Sequence, residues 1–328
     1  PAEFTNELVA FAKEHERFRK KLLLNGDGFE KNKETITLLQ SWITGVPADK
    51  KHLITRFLIK TPTKTLLEFE KSLTPYMPKG YFDVLKRYSI FETNVVHDFE
   101  PLWEHFGELL SEMDIKFDSD IYFTAKKVQD LLIRSGEYDP TEVEYILRDE
   151  VEEKYISVNG ILAVRAVGCM GLSQHIPKLV SLLNRIEEDI LQEEVCEALI
   201  RFQSDEVVKL LAPHVVDESQ FISVISILKH TKTHLAEQVL AEAYAKAEDV
   251  DMQELIIEGL AAHFSASAFE CIEQYIERGE TGYMVDMDEL LYGYYKAMNE
   301  DHPLLETWRA DAIERNEFLE EEMQAMKL

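Results

Sequence analysis

The sequence has few of the residues that interrupt helices and no long apolar run. Its 328 residues include only 13 glycines and 10 prolines, and strand-like alternation of apolar and polar residues is hard to find. These features favour an all-α fold over an α/β fold. Because no run of about 18 apolar residues occurs, we expect no membrane span.

Cysteine is scarce as well. Cys169, Cys196 and Cys271 fall inside helical patterns and show no paired spacing. Such cysteines are typical of small buried side chains in a reducing compartment. Residues 1–4 lack the basic and apolar regions of a signal peptide. We therefore expect a cytoplasmic protein.

The common catalytic motifs are also missing. The sequence contains no Gly-x-Ser-x-Gly, no glycine-rich phosphate loop and no Cys-x-x-Cys. Their absence removes the familiar motif-bearing enzymes without excluding an enzyme of another kind. We predict no catalytic residue, no metal site and no cofactor.

Positive charge is in short supply over most of the chain, whose formal net charge is −27. Residues 1–100 contain 16 Lys and Arg against 14 Asp and Glu, whereas residues 101–328 contain 19 against 48. Such an acidic surface is either simply solvated or complementary to a basic partner. Nucleic-acid binding by the acidic region is disfavoured, since phosphate contacts need Lys and Arg.

What is present is a pattern that returns four times between about Ile156 and Gly279. Each copy contains a small residue followed by a large apolar one, and these pairs are Ala166-Val167, Ala198-Leu199, Ser226-Ile227 and Gly259-Leu260. Apolar residues follow ten, thirteen and seventeen positions after each small residue, a spacing that forms one stripe on a second helix. Each copy therefore predicts a pair of helices, and the pairs must stack to bury their stripes.

Polar residues between the paired helices predict where the second helices begin. Ser173, Ser204, Thr233 and Ser267 precede the second apolar stripes. A serine or threonine at this position can accept from free backbone N–H groups of the first turn. Ser267 with Glu270 has the spacing of a capping box.

The segment from Ala163 to Val180 resembles a HEAT-type repeat of the short variety, roughly 30 residues long, found in bilin-lyase-like bacterial proteins. The resemblance extends over residues 156–279 and implies an α-solenoid of HEAT-like helical hairpins. Families with this architecture are mostly scaffolds and interaction surfaces, although a few are enzymes or nucleic-acid-binding proteins. The fold itself does not specify the function.

Three parts of the chain are predicted. Residues 1–120 form an N-terminal helical module, which opens with a single helix from Glu3 to about Leu24. Residues 121–280 form the HEAT-like repeat solenoid, with a degenerate pair of helices ahead of the four clear ones. Residues 281–328 contain C-terminal capping helices.

The second helices line the concave face in HEAT-like solenoids, so their unburied positions are the candidate partner-binding residues. These positions are Lys178, Arg185, Lys209, Glu237, Gln238, Glu242, Tyr244, Glu270, Glu273 and Glu277. Their charge changes from basic to acidic along the chain. A graded surface of this kind suits a basic or extended protein segment.

The leading functional hypothesis is a non-catalytic scaffold or adaptor that binds another protein on this acidic concave face. Two alternatives come from other functional classes. A lyase-like or cofactor-handling enzyme would use a groove of histidines and carboxylates, with His230, His234, His263 and the cluster at residues 97–105 as candidates. Nucleic-acid binding would use the N-terminal module, whose candidate cations are Lys20, Lys21, Lys50, Lys51 and Arg56.

Overall fold

A computed structural model shows an all-α protein. It describes residues 2–26, 28–46, 51–58, 61–77, 80–89, 91, 98–150 and 153–325. Those residues contain 20 α-helices and no strand, so the predicted all-α class is confirmed. The chain divides into two compact units, Pro1–Glu104 and His105–Leu328, and this division falls earlier than the expected boundary at residue 120.

The first unit contains short helices around its own apolar core. They are α1 (Ala2–Glu14), α2 (Glu16–Asn25), α3 (Lys33–Gln40), α4 (Lys51–Leu58), α5 (Thr63–Glu68), α6 (Glu70–Leu73) and α7 (Tyr81–Ser89). Helix α1 packs on α3, α2 on α4, and α5 on α7. Val9, Ile36, Leu39, Ile54 and Phe57 lie fully buried at the centre of this core.

The single helix predicted from Glu3 to Leu24 is wrong, because the chain breaks at His15. His15 adopts φ −123° and ψ 88°. Arg19 compensates the carbonyl groups left free at the end of α1: its Nε donates to Ala12 O at 2.8 Å and its Nη2 to Lys13 O at 2.8 Å. The His15 ring stacks on Phe11 with 3.8 Å between ring centroids. Local apolar periodicity continues through this break, which is why the sequence pattern does not reveal it.

Helix α8 (Glu100–Ile115) precedes the helix pairs of the second unit. The first helices of these pairs are α9 (Ser119–Ser135), α11 (Val158–Met170), α13 (Asp189–Phe202), α15 (Phe221–His230), α17 (Val250–Ala262) and α19 (Met287–Met298). The second helices of the same pairs are α10 (Pro140–Glu150), α12 (Ile176–Leu182), α14 (Asp205–Leu211), α16 (His234–Tyr244), α18 (Ser267–Arg278) and α20 (Leu305–Ala325). Each sequence copy thus corresponds to one first helix and one second helix.

Packing within this unit follows the same order. Each first helix from α9 to α17 contacts the next first helix, and each second helix from α12 to α16 contacts the next second helix. Small residues permit the closest approach: a Cβ added at Gly168 of α11 would lie 2.6 Å from the Cα of Ala198 on α13. At Gly259 an added Cβ would lie 3.0 Å from Leu240 Cδ1. Small residues therefore recur because neighbouring helices leave no room for larger ones.

Two of the four predicted helix starts are confirmed. Ser204 accepts from Val207 N and Thr233 from Ala236 N, as N-cap residues do. Ser173 instead begins a short 3₁₀ turn ahead of α12. Ser267 already lies inside α18, where its own N–H donates to Ser265 Oγ at 3.1 Å. The predicted Ser267–Glu270 capping box is therefore wrong, because the helix begins one residue earlier than the apolar stripe suggests.

The last helix pair is joined through an aromatic cluster. The His302 ring stacks on Trp308 with 4.5 Å between centroids, and Tyr295 contacts both rings. Leu304 N donates to His302 Nδ1 at 3.1 Å. None of the helices in the described part of the chain combines the length and apolar character needed to cross a membrane.

Candidate functional site

Two of the predicted partner-binding cations already donate hydrogen bonds to backbone carbonyl groups of the protein. Lys178 Nζ donates to Leu147 O at 3.0 Å, in the last turn of α10. Arg185 donates to Glu153 O at 3.1 Å and to Lys154 O at 2.6 Å, and its Nε lies 2.5 Å from Glu188 Oε1. Carbonyl groups at helix ends lack helical partners, and cationic side chains commonly satisfy them. The expectation that Lys178 and Arg185 face a partner is thus not met.

Tyr244 was expected to be an unburied position, but its side chain is only 3% exposed. Burial raises the pKa of its hydroxyl to about 12. The sequence pattern placed the buried stripe of α16 at Ala236, Val239 and Ala243. In the structure Leu240 and Tyr244 are buried while Val239 is only partly so. Ala236 and Ala243 are buried as expected, and Tyr244, one helical turn after Leu240, makes the buried stripe wider than expected.

Glu237 and Glu273 reach the surface but are held by neighbours. Glu237 accepts from Ser265 Oγ at 2.6 Å and lies 3.4 Å from His234 Nδ1. The Ser265 hydrogen bond, followed by His234, holds the pKa of Glu237 below its usual value. Glu273 accepts from Tyr295 Oη at 3.3 Å and lies 3.4 Å from His302 Nε2. These two carboxylates help to fix α18 against its surroundings.

The other five candidates are exposed, namely Lys209, Gln238, Glu242, Glu270 and Glu277. We call Glu242, Glu270 and Glu277 the acidic face. They lie on α16 and α18, which pack on each other, and none of the three is ion-paired with a cation in the described part of the chain. The acidic end of the predicted surface is therefore accessible, whereas two cations of its basic end are engaged.

Two grooves adjoin at the end of α17. The first has a volume of about 460 Å³ and the second of about 390 Å³. The first is lined by Lys229, Glu258, Ala261, Ala262, Phe264, Val285, Asp286, Glu289, Leu290, Gly293, Tyr294 and Ala297. The second is lined by Lys232, Thr233, His234, Glu237, Ala262, His263 and Phe264. Ala262 and Phe264 line both grooves, so we call this region the Phe264 grooves.

Phe264 was missed by the sequence analysis. It is 63% exposed and has a positive φ of 53°. It stands five residues after the small residue Gly259, and the equivalent positions in the other copies are Gly171, Gln203 and Thr231. A bulky apolar residue where another copy has glycine was the available signal, because glycine commonly marks the left-handed end of a helix.

The cations beside Phe264 are already engaged. Lys229 forms an ion pair of 2.7 Å with Glu258. Lys232 Nζ donates to Lys229 O at 2.6 Å and to Ala262 O at 2.9 Å. Burial, and secondarily Lys229, lowers the pKa of Lys232. The grooves therefore offer apolar surface, while the charged side chains of Lys229, Lys232, Glu258 and Asp286 already have partners.

The histidines of this region bind their own neighbours. His263 Nε2 donates to Leu228 O at 2.9 Å, and His230 Nδ1 donates to Ser226 O at 2.8 Å. His234 is 77% exposed, and the turn Thr231-Lys232-Thr233 separates it from His230 as expected. No group of three potential metal ligands occurs among the residues that the structure describes. His234, Glu237 and His263 line one groove together, but His263 Nε2 and the Glu237 carboxylate are already hydrogen-bonded to Leu228 O and Ser265 Oγ.

The remaining described candidates for the alternative functions lie on α2, on α4 and in or next to α8. His97 and Lys50 lie outside the described residues, as does the side chain of Lys51. His105 lies 3.1 Å from Glu108, one turn along its own helix, whereas Glu104 is exposed. Lys20 and Arg56 are exposed on separate helices.

Comparisons with known protein families, with curated proteins and with solved structures found no match to this chain.

Proposed function

We propose that this chain is a non-catalytic scaffold that binds a basic, extended segment of another protein on the acidic face of α16 and α18. The observation that carries the proposal is the state of Glu242, Glu270 and Glu277. All three are exposed and have no ion-pair partner among the described cations. Carboxylates in this state attract and orient a positively charged partner.

The packing of the second unit supports a HEAT-like α-solenoid as the architecture of this scaffold. First helices contact first helices and second helices contact second helices in chain order. Such stacking places equivalent positions of successive copies side by side, which is how repeat proteins build extended binding surfaces. The carboxylates of α16 and α18 would then form part of one continuous surface.

The charge of the chain favours a protein partner over a nucleic acid for this surface. Residues 101–328 carry 48 Asp and Glu against 19 Lys and Arg. Phosphate groups would be repelled by this excess, whereas lysine and arginine side chains would be attracted. A basic segment bound in this way should be released by salt, because exposed charges are screened within about 8 Å at physiological ionic strength.

A charge-reversal experiment tests the acidic face. Fluorescein-labelled synthetic peptides of alternating Lys, Arg and Ser would be titrated with the full chain and with the triple variant Glu242→Lys, Glu270→Lys, Glu277→Lys. We expect the variant to bind about ten-fold more weakly, equal to about 1.4 kcal/mol, with an unchanged melting temperature.

The matched control reverses three other exposed glutamates of the second unit, Glu112, Glu137 and Glu144. It changes the net charge by the same amount but leaves α16 and α18 intact. Binding should stay within about two-fold of the unmodified chain, or about 0.4 kcal/mol. Equal losses in both variants would show that only overall charge attracts the peptide, and would reject the proposed face.

A further inference from the structure

We infer that the side-chain amine of Lys232 is an acylation site, which takes a small acyl group from an activated donor, either an acyl phosphate or an acyl thioester. This modification goes beyond the proposed scaffold function and does not depend on it. Three features support it, namely the hydrogen bonds of Lys232, the groove that Lys232 lines and a histidine in the same groove.

Lys232 holds its amine between the ends of two helices. Its Nζ donates to Lys229 O at 2.6 Å, in the last turn of α15, and to Ala262 O at 2.9 Å, at the last residue of α17. A lysine reacts as a nucleophile only when its amine is neutral, with two N–H bonds and one lone pair. The two carbonyl groups accept both of these N–H bonds, so the lone pair is left for an electrophile.

The surroundings of this amine favour its neutral form. Partial burial, and secondarily the charge of Lys229, lowers the pKa of Lys232 from its ordinary value of 10.5. Desolvation and a neighbouring cation are the two effects that commonly activate lysine nucleophiles in proteins. Lys232 therefore has a larger fraction of neutral amine at neutral pH than a lysine surrounded by water.

The smaller of the Phe264 grooves gives an acyl donor access to this amine. Lys232 lines this groove together with His234, Glu237 and His263. Its volume of about 390 Å³ lies within the range of about 300–1,000 Å³ that is usual for small-molecule sites. Because Lys232 is also exposed, a small acyl group can reach the amine while the rest of the donor remains in solvent.

His263 supplies a base in the same groove. Its Nε2 donates to Leu228 O at 2.9 Å, so the neutral ring carries its lone pair on Nδ1. Burial lowers the pKa of His263 from its ordinary value of 6.5, and Lys232 lowers it further against the raising effect of the Leu228 hydrogen bond. The ring is therefore neutral at neutral pH, and a neutral imidazole can accept the proton that an attacking amine must lose.

Acylation joins the lysine nitrogen to the acyl carbon. The lone pair of Lys232 Nζ attacks the carbonyl carbon of the donor, and an N–C bond forms while the C–O bond of an acyl phosphate or the C–S bond of a thioester breaks. Phosphate or thiolate leaves with the bonding electron pair, and His263 Nδ1 takes the proton from the nitrogen. The product amide retains one N–H, so it can donate to Lys229 O or to Ala262 O but not to both.

Peptide mass spectrometry of the full chain after incubation with acetyl phosphate, and in a second arm with acetyl-coenzyme A, measures the acetylation rate at each lysine. Lys209, Lys246 and Lys296 are exposed lysines of the same unit and serve as internal controls. We expect at least one donor to acetylate Lys232 about five-fold faster than these controls at neutral pH, because more of its amine is neutral. The Lys232 rate should also level off at a lower pH than theirs. Reaction with one donor alone would identify the donor class.

Three variants separate the nucleophile from its base. Lys232→Arg should remove this modification and leave the rates at the control lysines unchanged. His263→Gln should lower the Lys232 rate about three-fold, because the proton must then pass to water, again without a change at the control lysines. His234→Gln is the matched control, since His234 lines the same groove, and it should react at the wild-type rate.

Two results would overturn the acylation site, and a third would overturn the role of His263. Equal rates at Lys232 and at the control lysines in the folded wild type would mean that the helix ends do not activate this amine. A preference for Lys232 that persists in guanidinium chloride, which unfolds the chain, would arise from the neighbouring sequence and not from the groove. A His263→Gln variant that reacts at the wild-type rate would show that water, not His263, takes the proton.

Discussion

Lys126 of α9 and Glu194 of α13 form an ion pair of 2.5 Å, although α11 separates these helices in the sequence. Tyr122 Oη donates to the same carboxylate oxygen at 2.9 Å. The Glu194 side chain is only 1% exposed and that of Lys126 is 17% exposed. The carboxylate is therefore removed from water and is stabilised by these two partners.

Removal of the cation should destabilise the second unit. We expect Lys126→Met to lower the free energy of unfolding by about 3 kcal/mol, because it leaves a buried carboxylate without its ion-pair partner. Urea denaturation measures this change. The double variant Lys126→Met, Glu194→Gln should recover much of the loss, since a neutral amide can still accept from Tyr122. Lys116→Met, at an exposed site, should stay within about 0.5 kcal/mol of wild type.

The close approach of α11 and α13 can be tested with one methyl group. A Cβ at position 168 would lie 2.6 Å from Ala198 Cα and 3.0 Å from Ala198 O. We expect Gly168→Ala to destabilise the protein by about 1–3 kcal/mol, as overpacking does. Gly107 lies within a helix and has nothing within 4 Å of an added Cβ. Gly107→Ala should therefore stabilise by about 0.5–1 kcal/mol, and a thermal melt that ranks the two variants the other way would contradict this packing.

Two glutamates of α18, one helical turn apart, should differ in their contribution to stability. Glu273 accepts from Tyr295 and lies close to His302, whereas Glu277 is exposed. We expect Glu273→Ala to cost about 1 kcal/mol in urea denaturation, since it removes a hydrogen bond to a buried tyrosine. Glu277→Ala should cost less than about 0.5 kcal/mol. Equal costs would mean that the Glu273 contacts contribute nothing measurable.

His263 should make stability depend on pH. Burial lowers the pKa of His263 from its ordinary value of 6.5, opposed by Leu228 and Glu237, which raise it, and assisted by Lys232 and His230. The unfolded chain therefore takes up a proton at this site more readily than the folded chain. Its contribution to stability is complete above pH 6.5 and is lost as the pH falls through the lower folded pKa.

Urea denaturation from pH 7.5 down to about pH 5.5, which brackets the ordinary histidine pKa, measures this effect. We expect the unfolding free energy of the wild type to fall over this window, and to fall less in His263→Gln and His263→Asn. Glu237, whose folded pKa is lowered from an ordinary value of 4.5, acts below this window. A pH profile that is identical in wild type and both variants would show that His263 does not contribute.

Sequence periodicity was informative where a local rule governs the outcome. The repeated small residues predicted the first helices, and Ser204 and Thr233 predicted two starts of second helices correctly. The predicted start of α18 at Ser267 was wrong by one residue, and Tyr244 was expected to be exposed but is buried. An apolar stripe at 3.6 residues per turn defines a face, but the width of that face depends on the neighbouring helix. Neighbours of this kind are 20 or more residues distant in a repeat.

The sequence by itself determined the helical class, the four helix pairs between residues 156 and 279 and the acidic character of residues 101–328. Those properties follow from composition and from local spacing. Only the tertiary structure decided which charged side chains remain available. Carbonyl groups from preceding segments accept hydrogen bonds from Lys178 and Arg185, and α9 supplies the partners of Glu194. The tertiary structure also places Phe264 between two grooves, because a groove is formed by residues from several helices and has no signature in any one of them.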